Sequence, residues 1–142
     1  MFLGRYEHTI DSKGRLAIPA RYRAALERGL VITRGIDRCL TIYPLAAWEA
    51  LAEKVNSLPL ADANARALRR LFFAEAVDAT LDGQGRVVVP AALRAYAGIA
   101  EQATIVGMNT AIEVWSPARW AEQAALLEGD GAGLAERLTG LI

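Results

Sequence analysis

Two short segments of the sequence combine an aspartate, a glycine and an arginine in the pattern Asp-x-x-Gly-Arg. The pattern reads D-S-K-G-R from Asp11 to Arg15 and D-G-Q-G-R from Asp82 to Arg86. An aspartate side chain can accept a hydrogen bond from the backbone two residues later, and glycine tolerates a positive φ, so each segment is predicted to form a tight turn. Each turn would present an arginine, whose planar set of N–H donors suits phosphate oxygens and the O6 and N7 atoms of guanine.

Four residues of these turns are candidate nucleic-acid contacts: Lys13, Arg15, Gln84 and Arg86. Lys13 would add a charge for phosphate binding, and the amide of Gln84 can bond to a base or to a phosphate. A structural alternative is that each aspartate only pairs with the arginine of its own turn and so locks the turn. The residue types alone leave both interpretations open.

The two turns belong to a longer internal repeat. The unit T-hydrophobic-D-x-x-G-R-hydrophobic-x-hydrophobic-P-A-x-x-R runs from Thr9 to Arg23 and again from Thr80 to Arg94. Weaker similarity continues downstream if a small insertion is allowed. Internal repeats reflect repeated structural units, and only two are visible, so the sequence predicts a pseudo-twofold domain and not a solenoid.

Secondary-structure signals recur in the same order in both halves. They predict strand, turn, strand, helix, strand, strand, with further helices between the halves and at the end of the chain. In the first half the helix is predicted from Ala20 to about Arg28. Residues 129–133 are rich in glycine and predict a flexible joint before a short terminal helix at 134–141.

These signals predict an α+β fold, mostly β, in which two repeats of one chain form a pseudo-twofold barrel with flanking helices. The predicted organisation is a single domain over residues 1–142. Its parts are a first half at 3–48, a helical connector at 49–73, a second half at 74–120, and a flexible joint with a terminal helix at 129–142.

Composition excludes several classes of protein. The 142 residues include sixteen basic and sixteen acidic side chains, which argues against nucleic-acid binding through bulk positive charge. Residues 1–38 nevertheless carry eight basic against four acidic residues, which allows one basic face. The single cysteine, Cys39, excludes a disulfide framework. No signal peptide or membrane span is predicted, so we expect a cytoplasmic protein.

Catalytic patterns are weak in this sequence. A strand would place His8, the only histidine, on the face opposite Asp11. One cysteine and one histidine give no zinc-ligand spacing, and neither a Gly-x-Gly-x-x-Gly motif nor a P-loop occurs. We therefore expect no enzyme activity, no metal and no cofactor.

The segment from Phe2 to Arg23, F-L-G-R-Y-E-H-T-I-D-S-K-G-R-L-A-I-P-A-R-Y-R, together with the second D-x-x-G-R, resembles the MraZ family of bacterial transcriptional regulators. The resemblance covers nearly the whole chain. It implies a fold of the SpoVT/AbrB swapped-hairpin type, an AbrB-like double barrel with both halves in one chain, assembled into a ring-shaped homo-oligomer. The family's DNA-contacting arginine falls on Arg15 in the first motif and on Arg86 in the second.

The resemblance also implies a function, sequence-specific binding of double-stranded DNA. The expected sites are repeated short boxes upstream of the division and cell-wall gene cluster, including the regulator's own gene. We expect a repressor, located in the cytoplasm and associated with the nucleoid. Gln84 departs from the pattern because no lysine stands there, so the two turns are chemically unequal. In a ring a second contact on the same DNA is effectively intramolecular, so a weak site per subunit is sufficient.

A second hypothesis, of a different class, is an AbrB-like antitoxin, adaptor or assembly module whose barrel binds a protein partner. Segment 129–142 would then be the partner-binding tail. DNA binding at the two turns distinguishes the first hypothesis from the second.

Overall fold

A computed structural model describes residues 1–141, and Ile142, the last residue of the predicted terminal segment, lies outside the described residues. Eight strands occur in this range: β1 Arg5–Thr9, β2 Arg15–Ala17, β3 Leu30–Arg34, β4 Leu40–Pro44, β5 Val77–Ala79, β6 Arg86–Val88, β7 Gln102–Gly107 and β8 Ile112–Trp115. The α-helices of the same range are α1 Leu45–Asn56, α2 Ala63–Phe73, α3 Ala91–Ala97 and α4 Pro117–Arg137. The predicted α+β class is confirmed, with the strands at the centre and the helices outside them.

The two repeats are interleaved in one antiparallel sheet with the strand order β1-β7-β8-β4-β3-β5. The first strand of each repeat pairs with the third strand of the other, β1 with β7 and β5 with β3. The fourth strands, β4 and β8, pair with each other. Within one repeat only the β3–β4 or β7–β8 hairpin is paired internally. An isolated two-stranded hairpin is marginally stable in water, so each repeat depends on the other for its fold.

The second strands of the two repeats form a separate two-stranded ribbon, β2–β6. Its register pairs Arg15 with Val88, Leu16 with Val87, and Ala17 with Arg86. Leu16 and Val87 occupy the same position of the repeat, so the pseudo-twofold axis passes between them. The axis relates Arg15 to Arg86, and the ribbon therefore carries both predicted arginines symmetrically.

One hydrophobic core is shared by both repeats. Leu16 and Ile18 of the first repeat are fully buried, and Val87 and Val89 of the second are 2% and 1% exposed. Apolar residues at alternate positions put one side of the ribbon into this core, because successive strand side chains point to opposite faces. Burial of each such side chain stabilises the fold by about 1.5–3 kcal/mol. The same alternation turns the arginines of the ribbon outward.

The helices α1 and α2 form a hairpin that packs on the β3–β4 side of the sheet. Asp62 begins α2 as its N-cap, because its carboxylate accepts a hydrogen bond from the Asn64 N–H at 2.8 Å. The indole of Trp48 packs against Tyr43 and Phe73, with ring centroids 5.8 and 5.7 Å apart. The hydroxyl of Thr33 donates to the Phe72 carbonyl at 2.5 Å and ties α2 to β3.

The segment after β2 differs from the sequence prediction of a helix from Ala20 to about Arg28. The structure has two short 3₁₀ turns instead, Ala20–Tyr22 and Ala24–Leu26. A helical segment this short is marginal on its own, so packing decides its geometry. Here Tyr22 and Leu26 are buried in the core, and the i to i+3 hydrogen bonds of the turns direct both side chains inward.

The predicted joint at 129–133 coincides with a kink in α4. Asp130 has a non-helical backbone there, with φ −142° and ψ 34°, and helical segments lie on both sides of it within Pro117–Arg137. Each glycine costs about 1 kcal/mol relative to alanine within a helix, so a glycine-rich stretch favours a break at this point. The predicted terminal helix corresponds to the segment of α4 after Asp130. No helix within residues 1–141 is long and apolar enough to cross a membrane.

Candidate nucleic-acid interface

The first turn is built on the carboxylate of Asp11. Its Oδ1 accepts hydrogen bonds from the backbone N–H groups of Lys13 and Arg15, both at 2.9 Å. The Asp11 carbonyl accepts from the Gly14 N–H at 3.0 Å, which closes the turn. Gly14 has a φ of +78°, a conformation that residues with a β-carbon rarely adopt. The pattern Asp-x-x-Gly therefore forms the predicted tight turn.

The second turn repeats this geometry on the carboxylate of Asp82. Oδ1 accepts from the N–H groups of Gln84 and Arg86, again both at 2.9 Å. The Asp82 carbonyl accepts from the Gly85 N–H at 3.0 Å, and the φ of Gly85 is +74°. The two turns therefore have the same backbone structure and differ in their side chains, with Lys13 in one and Gln84 in the other.

Each arginine forms an ion pair with the aspartate of its own turn. Nε of Arg15 lies 2.6 Å from Oδ2 of Asp11, and Nε of Arg86 lies 2.9 Å from Oδ2 of Asp82. The side chains of Arg15 and Arg86 are 30% and 27% exposed. Within residues 1–141 their Nη nitrogens make no hydrogen bond to the protein. The pairing of each aspartate with the arginine of its own turn is thus present. It uses the Nε nitrogen of each arginine, and the two Nη nitrogens remain available for other contacts.

These contacts lower the pKa of both aspartates. For Asp11 the main cause is the hydrogen bond from the Arg15 backbone N–H, assisted by the Arg15 side chain and the Lys13 N–H, and together they outweigh the opposing effect of burial on the pKa. The pKa of Asp82 is lowered by the equivalent donors, with the Arg86 backbone N–H as the main cause. Both carboxylates are therefore charged at neutral pH and hold the guanidinium groups in a fixed direction.

The outward face of the β2–β6 ribbon carries both predicted arginines. Arg15 and Arg86 lie on this face, diagonally across the pseudo-twofold axis, with Ala17 and Val88 at the other two positions. Lys13 and Gln84 are exposed in the turns that precede the two strands. The structure therefore brings the two arginines to one face and leaves Lys13 and Gln84 accessible beside them in sequence.

Backbone hydrogen bonds attach each turn to the other repeat. The Gly14 carbonyl of the first turn accepts from the Val89 N–H at 2.8 Å, and the Gly85 carbonyl of the second turn accepts from the Ile18 N–H at 2.9 Å. These bonds extend the ribbon pairing at both ends. The position of each arginine is consequently set by strands from both repeats.

Two further arginines, Arg23 and Arg94, which end the two copies of the repeat unit, support the turns. Nε of Arg23 donates to the Ile18 carbonyl at 2.8 Å, and Nε of Arg94 donates to the Val89 carbonyl at 3.0 Å. Each guanidinium lies against the glycine of the opposite repeat's turn, Arg94 against Gly14 and Arg23 against Gly85. A β-carbon at Gly14 would lie 3.3 Å from Nη2 of Arg94, and one at Gly85 would overlap Arg23. Their recurrence at the last position of the repeat was the signal for this role.

His8 and Cys39, the single histidine and the single cysteine, are engaged in contacts with the fold or buried in it. Nδ1 of His8 lies 2.6 Å from the Ala17 carbonyl, within hydrogen-bond distance. Burial raises the pKa of the Cys39 thiol to about 12, so the thiol is protonated at neutral pH. In the part of the chain that the structure describes, no group of three His, Cys, Asp or Glu side chains is placed to hold a metal ion.

The crossed double repeat with a pair of arginine turns defines a class of two-repeat α+β proteins. Comparison with known families agrees, since the model of the family described as "MraZ protein, putative antitoxin-like" matches twice, at residues 1–71 and 72–140. The chain belongs to the MraZ family. The boundary between the matches falls inside α2, between the two repeats.

Similar full-length proteins carry a consistent name. The chain is 56% identical over 142 residues to "Transcriptional regulator MraZ" of Thermomicrobium roseum, with all of both chains covered. It is 50% identical over 141 residues to the protein of the same name from Roseiflexus castenholzii, and 46% identical over 141 residues to that of Desulfitobacterium hafniense, with 99% of each chain covered.

Glycine substitutions test the close packing of the second turn. We expect Gly85→Ala to lower the free energy of unfolding by about 1–3 kcal/mol. The alanine would have to adopt the positive φ of Gly85, and its β-carbon would displace the side chain of Arg23. Gly83→Ala is the matched control in the same turn, since its β-carbon would enter open space, and we expect a change within about 0.5 kcal/mol. Urea unfolding of the three proteins measures this difference, and equal effects of the two substitutions would contradict the packing described.

The lowered pKa values predict how stability depends on pH. A carboxyl whose pKa is lower in the folded than in the unfolded chain stabilises the fold above the unfolded value of about 3.9, and this stabilisation is lost as the pH falls through the folded value. We therefore expect the double variant Asp11→Asn/Asp82→Asn to be less stable than the natural protein at neutral pH. The difference should shrink as the pH falls below about 4.

Thermal unfolding at a series of pH values measures this difference. Asp78→Asn, which changes an exposed carboxylate on β5 to its amide, is the control for loss of an acidic residue elsewhere. A difference between the double variant and the natural protein that stays constant down to acidic pH would show that the two aspartates are not the source.

Proposed function

We propose that the protein is a transcriptional regulator that binds double-stranded DNA sequence-specifically through the outward face of the β2–β6 ribbon. The observation that carries this proposal is the pair Arg15 and Arg86, held on one exposed face by Asp11 and Asp82 through Nε. Support also comes from the family, because the similar full-length proteins are named as transcriptional regulators.

The geometry of the ribbon suits the major groove of DNA. That groove admits a two-stranded β-ribbon, and an arginine can donate two parallel hydrogen bonds to O6 and N7 of guanine. With Nε bound to the aspartate, the two Nη nitrogens of each arginine are the donors for this contact. Because the ion pair fixes the guanidinium before DNA arrives, less side-chain entropy is lost on binding.

The two turns contribute differently to the proposed interface. The ammonium of Lys13 would bind phosphate as a point charge, whereas the amide of Gln84 would donate to a phosphate or contact a base without adding charge. We infer that the first turn supplies more of the electrostatic affinity. The second turn then depends more on its arginine, Arg86.

We further propose that the protein acts as a ring-shaped homo-oligomer. A chain with zero net charge cannot rely on bulk attraction to DNA, and several ribbons in one assembly would raise the affinity through multivalency. Helix α4 offers exposed apolar side chains for contacts between subunits, with Leu126 63% and Leu127 52% exposed. Light scattering of the purified protein reads the assembly mass directly, and a monomer mass would contradict the ring.

The proposed targets are repeated short boxes upstream of the division and cell-wall gene cluster, including the regulator's own promoter. We propose that the protein represses transcription there, in the cytoplasm at the nucleoid. These targets are what the resemblance to the MraZ family implies, and the match of the family model to both repeats supports membership of that family. The first DNA to test is therefore the segment directly upstream of the protein's own coding sequence.

The alternative, a protein-binding antitoxin or adaptor, has two observations in its favour. The description of the matching family includes the words "putative antitoxin-like". The same exposed leucines of α4 could contact a different protein instead of another subunit. Substitution of the ribbon arginines should weaken DNA binding under the first function and have no effect on it under the second.

Substitution of the ribbon arginines should weaken DNA binding selectively. We expect Arg15→Ala and Arg86→Ala each to lower the affinity for the upstream DNA by about 1–3 kcal/mol, because each removes a two-donor contact to a base. The effect on shuffled DNA of equal composition should be smaller. Arg70→Ala, which removes an exposed arginine from α2, is the matched control and should leave the affinity unchanged. Binding titrations at several salt concentrations measure these effects.

Lys13 and Gln84 provide a second matched pair in the same titrations. We expect Lys13→Ala to reduce the slope of log affinity against log salt by about 1 for each turn in contact, and Gln84→Ala to leave the slope unchanged. Equal affinity for upstream and shuffled DNA, with no change of affinity in Arg15→Ala or Arg86→Ala, would show that the ion pairs of the turns have only a structural role. The protein-binding alternative would then be the better account.

A further inference from the structure

Val88 is an exposed apolar residue on the face of the ribbon that carries both arginines. It is 54% exposed, whereas Leu16 and Val87, on the core side of the ribbon, are 0% and 2% exposed. The register places Val88 directly opposite Arg15. Since strand side chains alternate between faces, Val88 also lies on the same side as Arg86, two residues earlier.

The corresponding residue of the first repeat is Ala17, which lies opposite Arg86. Each arginine of the ribbon therefore has a small apolar neighbour across the strands, and the two neighbours differ by two methyl groups. An isopropyl group that is more than half exposed contributes little to the hydrophobic core. The folded protein alone does not explain why the larger side chain stands beside Arg15.

The chemistry of the major groove gives this difference a consequence. Thymine presents its 5-methyl group there, and apolar side chains recognise thymine by contact with that methyl. Side chains directly opposite each other in an antiparallel pair have β-carbons about 4.5–5.5 Å apart. Successive bases on one DNA strand are about 3.4 Å apart along the helix axis. A side chain opposite Arg15 is therefore placed to reach a base pair next to the one that Arg15 contacts.

We propose that Val88 is a specificity-determining residue that contacts the 5-methyl group of a thymine adjacent to the guanine bound by Arg15. The inference rests on the proposed function, because it requires the ribbon to face the major groove. Ala17 carries a single methyl group and therefore offers a smaller apolar surface beside Arg86. The two sides of the pseudo-twofold ribbon consequently differ, and the stronger preference for thymine is next to the guanine bound by Arg15.

Replacement of thymine by uracil isolates this contact, because uracil lacks only the 5-methyl group. The probe is the upstream DNA with uracil introduced at random thymine positions, and the measurement maps the positions at which uracil interferes with binding. For the natural protein we expect about fourfold weaker binding when uracil replaces the contacted thymine. For Val88→Ala we expect weaker binding to the thymine probe and a smaller effect of uracil at that position. Val88→Ile should keep the sensitivity.

Guanine N7 methylation on the same DNA locates the arginine contacts. The guanine whose methylation no longer matters in Arg15→Ala should lie next to the uracil-sensitive thymine. Thermal unfolding of Val88→Ala confirms that the variant is folded. The role of Val88 would be overturned if the natural protein and Val88→Ala gave the same uracil pattern. It would also be overturned if the natural protein bound the upstream DNA selectively but showed no uracil-sensitive position. Absence of selective binding by the natural protein would overturn the proposed function itself.

Discussion

The hydrogen bonds from Val89 to Gly14 and from Ile18 to Gly85 are the contacts on which the arrangement of the candidate site depends. Each bond joins the turn of one repeat to a strand of the other, and together they extend the β2–β6 ribbon at both ends. Positive φ at the two glycines lets the turns reach these partners. The repeats also exchange strands in the large sheet, so the position of each turn depends on the other repeat. The common orientation of the two arginines is therefore a property of the whole fold.

The ion pairs within the turns have a different role from these backbone contacts. A solvent-exposed pair of an arginine and a carboxylate contributes little to stability, typically about 0–1 kcal/mol. What the pairs do is fix direction, because Asp11 and Asp82 each hold one nitrogen of a guanidinium while accepting backbone N–H groups. The structural interpretation and the DNA-binding interpretation of the pattern are thus compatible. One carboxylate closes the turn and orients the arginine at the same time.

Much of this organisation could be predicted from the sequence, because it depends on local chemistry. The two Asp-x-x-Gly turns, the repeat and the alternation around Leu16 and Val87 all follow from backbone preferences and burial. The crossing of strands was expected only from the family resemblance, which implies a swapped-hairpin fold, because by residue types alone either repeat could pair within itself or with the other. The contacts of Arg23 and Arg94 depend on that crossing, so they also required the structure.

The helices show where local preference is sufficient and where it is not. The segment from Ala20 to Leu26 has a sequence that permits an α-helix, but the burial of Tyr22 and Leu26 decides the geometry in favour of 3₁₀ turns. At the other end, the glycines at 129–133 predicted a break, and α4 has a kink there at Asp130. The local preference was overruled only where buried side chains competed with it.

The crossed support of the turns can be tested most directly with a double-mutant cycle on DNA binding. Arg94 belongs to the second repeat and lies against Gly14 of the first turn, so Arg94→Met should disturb the DNA contact that we propose for Arg15. We expect Arg94→Met and Arg15→Ala to be coupled by at least about 0.5 kcal/mol, and Arg94→Met and Arg86→Ala to be additive within about 0.5 kcal/mol. Coupling of Arg94 to Arg86, with additivity towards Arg15, would contradict the account in which each arginine turn is positioned by the opposite repeat.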